Sequence, residues 1–93
     1  MFAELLEVFA EEADRIIQEA KEAEARGDAT SLTHLIHQLK GSSAYLGVRW
    51  MPELAAKLEK QAKVNNLQEA KAILTELEQI LQQVKVFLAG DGQ

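Results

Sequence analysis

Cysteine is absent from this chain of 93 residues, which excludes disulfides and thiolate-bound metal while leaving the redox compartment open. No apolar run reaches the roughly 20 residues that a bilayer-spanning helix needs. The opening stretch MFAELLEVFAEEAD has no basic region and does not read as a signal peptide. Lysine and arginine number 10 against 15 acids and are scattered among them, for a formal net charge of −5. The chain therefore offers no basic face for nucleic acid or for an anionic membrane. It holds no glycine-rich nucleotide loop and no HExxH pattern. No segment alternates apolar and polar residues for long enough to make a strand. By default such a chain is one cytoplasmic domain.

What remains is helical periodicity. Phe2, Leu5, Leu6, Phe9, Ala13, Ile16, Ile17 and Ala20 recur at spacings of three and four and predict a first amphipathic helix. It ends near Gly27, which suits the left-handed position after a helix. Asp28, Thr30 or Ser31 can cap the second helix, whose inner face carries Leu32, Leu35, Ile36, Leu39, Ser43 and Leu46. Gly47 closes it, and Pro52 opens a third helix with Leu54, Leu58 and Ala62 inward. Asn65 and Asn66 make a break. A fourth helix repeats Leu67, Ala70, Ile73, Leu74, Leu77, Ile80, Leu81, Val84, Phe87 and Leu88. Four such helices on short links predict an all-α, antiparallel up-down-up-down bundle over residues 1–89, with a flexible tail at 90–93 and a monomeric state. Trp50, a large aromatic in a link, is expected to cover one end of the core.

The second helix contains an anomaly. Gly41 stands in its middle, where glycine costs about 1 kcal/mol relative to alanine, and Ser42 and Ser43 follow. At 100° per residue, His37 points almost opposite the apolar arc, with Thr33, His34, Lys40 and Gly41 around it. Ala44 continues that outward stripe. The helix is thinned where something large can approach the imidazole, and Lys40 supplies a cation beside it. Two readings of Glu59 on the third helix stay open. Either it crosses to one nitrogen of His37 and fixes the tautomer, or it pairs with Lys63 at i+4 on a solvated face.

The run His37-Gln38-Leu39-Lys40-Gly41-Ser42-Ser43-Ala44-Tyr45-Leu46-Gly47 closely resembles the H-x-L-K-G-S-[SA]-x-x-L-G motif of histidine phosphotransfer domains of multistep phosphorelays. The acidic, Phe-containing first helix, Gly27-Asp28 and Leu58-Glu59 also have counterparts in that family, so the resemblance covers nearly the whole chain. It implies that His37 accepts a phosphoryl group and that Lys40 helps to neutralise it. Gly41 and Ala44 would give a partner clearance, Glu59 would orient the imidazole, and Thr33 and His34 would belong to the docking surface. The implied partners are response-regulator receiver domains, whose acidic pocket would bring the Mg²⁺. The domain itself would be a carrier with no cofactor, not an ATP-using enzyme. Many members place an extra helix before the bundle. Its absence here points to a piece of a larger hybrid sensor kinase.

Two other readings compete. His34 and His37, at i,i+3, form an incomplete metal site of two nitrogens. A scaffold bundle that docks receivers or a partner helix without chemistry explains the fold but leaves Gly41 unexplained.

Overall fold

The apolar stripes resolve into four α-helices in a computed structural model that describes residues 2–91, with side chains from residue 4 to residue 90. They are α1 (Phe2–Ala25), α2 (Ala29–Leu46), α3 (Met51–Lys63) and α4 (Leu67–Asp91). No strand occurs among the described residues. The side chain of Phe2 lies outside them, as do Gly92 and Gln93 of the expected tail. Gly90 and Asp91, also assigned to that tail, continue α4, because a glycine raises the cost of a helix without removing a backbone hydrogen bond.

The links turn by the predicted devices. Gly27 adopts φ +71°, and the next amide, of Asp28, donates to the carbonyl of Ala23. Gly47 repeats the device at φ +71°, with the Val48 amide donating to Ser43. Asp28 caps α2: its carboxylate accepts from the Ser31 amide at 3.1 Å and the Ser31 hydroxyl at 2.7 Å. Those bonds hold its carboxyl below the usual range.

Each helix packs on its sequence neighbours, and α1 closes the ring on α4. Lys21 meets Glu78 at 2.9 Å and Lys85 meets Asp14 at 3.3 Å. A step back along α1 from 21 to 14 thus matches a step forward along α4 from 78 to 85, so the two run antiparallel. The rod measures 42 × 20 × 17 Å. Its interior holds Ile16, Ile17, Leu32, Ile36, Leu39, Leu58, Ile73, Leu77 and Leu81 with almost no exposure. Each such side chain contributes about 1.5–3 kcal/mol by leaving water. Ser43 is also buried, and its hydroxyl donates to the Lys40 carbonyl of its own helix.

Three sequence expectations need correction. Trp50 does not cover the core: it is 62% exposed, while Met51 beside it is fully buried. Its φ of +72° turns the chain into α3, and the indole lies outside under the Arg49 guanidinium, 5.8 Å from the ring centre. Phe87 is 56% exposed because α3, with 13 residues, is about half the length of α4 and leaves its last turns without a neighbour on that side. Leu5 on α1 is likewise exposed rather than inward.

Candidate functional site

His37 sits in the third turn of α2 with its side chain 67% exposed, as the helical wheel predicts. Ile36 and Leu39 anchor the other face of this turn in the core. The backbone beneath the imidazole is therefore fixed while the ring stands in water.

Across the α2–α3 seam lies Glu59, whose side chain is only 10% exposed. Leu58 and Ala62 pin this turn of α3 in the core, which directs the neighbouring carboxylate toward α2. Its Oε2 is 2.9 Å from His37 Nδ1, and its Oε1 accepts from Lys40 Nζ at 2.8 Å. Lys63 Nζ stands 3.9 Å from Oε2. The crossing to His37 is thus present, and Lys63 stands near at i+4, but the carboxylate is buried in the seam and not on a solvated face. The Lys40 hydrogen bond lowers the Glu59 carboxyl below its usual range, helped by the bond to His37 and opposed by burial. An ionised carboxylate only accepts hydrogen bonds, so in the neutral ring the proton resides on Nδ1 and Nε2 keeps its lone pair. The arrangement presents a nucleophilic nitrogen with a compensating negative charge behind it.

Two depressions flank the ring. The one toward α3, about 470 Å³, is lined by Thr33, His34, His37, Glu59 and Lys63 among others. The one toward α1, about 750 Å³, borders His37 with Leu5, Val8, Gly41 and Tyr45. A Cβ built on Gly41 meets nothing within 4 Å, so the glycine relieves no crowding inside the bundle. Its bareness faces outward. Thr33 and His34 line the depression toward α3. Ala44 is exposed but borders neither depression, and Tyr45, one residue on, does. Lys40 borders neither and reaches the site through Glu59.

The sequence reading missed Val8 as a site neighbour and took Leu5 as inward. Their spacing of three, with Glu12 one turn further, already marks a second line on α1 beside its core stripe. No group of three or more His, Asp or Glu side chains among the described residues is arranged to hold a metal ion, so the His34–His37 pair gains no further ligand of these types there.

The fold and the site together define a four-helix bundle that holds a solvent-facing histidine against a buried carboxylate. The family model for the Hpt domain matches residues 4–86, and the chain belongs to that family. It thereby belongs to histidine phosphotransfer in phosphorelay signalling, a family of carriers that interact with response-regulator receiver domains. No curated protein and no solved structure matches the chain.

Proposed function

We propose that His37 takes a phosphoryl group from the aspartyl phosphate of one receiver domain and passes it to the aspartate of another. The observation that carries this reading is the 2.9 Å contact between Nδ1 and Glu59 on a ring that is otherwise open to solvent. With the proton held at Nδ1, the Nε2 lone pair attacks phosphorus in line. The new N–P bond forms as the acyl P–O bond breaks, and its electron pair leaves on the receiver's carboxylate. The ring becomes cationic with its Nδ1 proton still in place, and Glu59 faces that charge at hydrogen-bond distance. No proton has to move. The return step is the reverse with a second receiver.

The contribution of this chain is positioning and charge compensation. Lys40 keeps Glu59 ionised and steady, so that the carboxylate is in place to face the cationic ring. The bare backbone at Gly41 and the apolar line of Leu5 and Val8 offer the receiver a place to lie. Mg²⁺ belongs to the receiver's acidic pocket in this scheme, and the chain needs no nucleotide. The setting is cytoplasmic, a reading in keeping with the absence, among the described residues, of a helix long and apolar enough to cross a membrane.

The test is incubation with a phosphorylated receiver and Mg²⁺, in parallel with His37→Gln. Acid-labile, base-stable label on the wild type alone is the expected result. Label on both proteins moves the site elsewhere, and label on neither with several receivers favours a docking bundle without chemistry.

A further inference from the structure

The large exposed apolar side chains among the described residues fall into two sets. Leu5, Val8 and Tyr45 border His37 on the α1 side. Trp50, Val64, Val86 and Phe87 border neither depression beside the ring and lie at the ends of α3 or in the last turns of α4. Trp50 stands out. Its indole is left in water, and its φ of +72° is one that a bulky residue seldom adopts. A groove of about 410 Å³ between α3 and α4 starts at this residue and runs over Leu54 and Ile80. It shares no lining residue with either depression beside His37. Its charges are of both signs, Glu53 and Lys57 on α3 and Glu76 on α4. Among the described residues none of the three enters an ion pair, although Glu53 and Lys57 have the i,i+4 spacing at which such pairs form.

We propose that this flank is the interface between two copies of the chain. The short link at residues 64–66 turns α4 back along α3, so position 50 lies level with 83, and position 57 with 76, across the groove. A two-fold axis along the seam lays α3 of each copy on α4 of the other. Lys57 of one copy then faces Glu76 of the other, and the reciprocal pair forms with it. Trp50 comes against the last turns of the other α4. There Phe87, one turn beyond Gln83, lacks a neighbour because α3 is short. One symmetry operation thus answers both the unpaired charges and the bare aromatics. The flank of a rod 42 Å long and 20 Å wide also has the size of a standard interface, about 800 Å² on each partner. The sequence pattern predicts a monomer; the unpartnered flank makes the chain a dimer. Both His37 rings stay open in it, because the flank and the histidine surface share no residue. The inference does not depend on the relay reading.

The experiment is sedimentation equilibrium of the whole chain from micromolar to near-millimolar concentration. A dimer mass that falls to the monomer on dilution is expected. Trp50→Ala should weaken association about thirtyfold, the scale of a buried aromatic anchor. Lys57→Glu and Glu76→Lys should each stay monomeric alone, since each sets like charges opposite one another. Mixed together they should associate, because the exchanged charges meet again. Tyr45→Ala, on the His37 side, should dimerise like the wild type. Melting temperatures taken in dilute solution should be alike, which separates association from folding. A monomer mass throughout the range overturns the proposal, and so does a mixture of the two charge variants that stays monomeric. A dimer that survives Trp50→Ala and is lost in Tyr45→Ala overturns it too, by moving the contact to the histidine side. A monomeric wild type whose phosphoryl transfer from a receiver slows in Trp50→Ala gives the flank to the receiver instead.

Discussion

On the α3 side, His37 meets a buried carboxylate at 2.9 Å with two lysines behind it; on the α1 side it borders Leu5, Val8 and a glycine, with no hydrogen bond to the ring from the described residues there. The first side is held by groups whose geometry is set by charge. The second is open, apolar and without a side chain at its centre. Fixed contacts lie where the ring must be oriented, and bare surface lies where a partner must come close. The difference separates two tasks that one residue cannot combine: setting a nucleophile and admitting a second protein.

The strongest way to break that division is to fill the open side. Because a Cβ at Gly41 meets nothing within 4 Å, Gly41→Leu should fold well. Relief of the glycine cost, up to about 1 kcal/mol, should raise its melting temperature. Transfer from a receiver should nevertheless fall about a hundredfold, equivalent to about 2.8 kcal/mol of lost docking. Chemical phosphorylation by phosphoramidate, which needs no docking, should be unchanged. A wild-type rate with the receiver would mean that the partner lies elsewhere.

The complementary change is Glu59→Ala on the polar side. It frees Nδ1 and leaves Lys40 without its acceptor, so transfer should fall about thirtyfold, by analogy with the loss on removing the carboxylate partner of a metal-ligating histidine. Here phosphoramidate labelling should slow as well, because the fault lies in the ring and not in docking. Equal loss with receiver and small donor for Glu59→Ala, set against selective loss for Gly41→Leu, is the signature of divided tasks. A smaller effect is expected from Val8→Asp, which places a charge on the exposed α1 line. Receiver binding measured by calorimetry should weaken about tenfold, or about 1.4 kcal/mol.

Much of this division was legible in the sequence, and the parts that were not have physical causes. The wheel angle of His37 depends only on α2 itself, so its exposure follows from helical geometry. Gly27, Gly47 and Asp28 act within a few residues of their position, and local chemistry fixes them. Glu59 is different: its two readings differ by a contact between helices, and only the α2–α3 packing decides between them. Lys63 is half such a case: its nearness to Glu59 is an i,i+4 spacing within α3, and only its place beside His37 depends on the helices meeting. Leu5 and Phe87 fit an apolar stripe but face solvent: Phe87 lies beyond the reach of the shorter α3, and Leu5 stands with Val8 on the line of α1 that borders the His37 side of α2. Trp50 departs from expectation for a backbone reason. The turn into α3 needs a positive φ there, and that conformation carries the indole away from the core.

The last way to tell the two sides apart is acid. Glu59 holds its proton less tightly in the folded chain than an ordinary carboxyl does, chiefly because of Lys40. Its stabilising share is therefore complete above the unfolded carboxyl value, about pH 4.3, and is lost as pH falls through the lower folded value. Asp28 shifts in the same direction, so the acid response of the wild type alone does not isolate Glu59. The difference between wild type and Glu59→Gln does. Urea midpoints should put that gap at about 1.5–3 kcal/mol at neutral pH, the scale of a hydrogen bond to a charged group, and it should narrow on acidification. The gap between wild type and Val8→Ala should stay constant over the same range, since the substituted group carries no charge. A Glu59 gap as flat as that of Val8 would mean that Lys40 does not hold the carboxylate, and the polar side would lose its claim to be the ordered one.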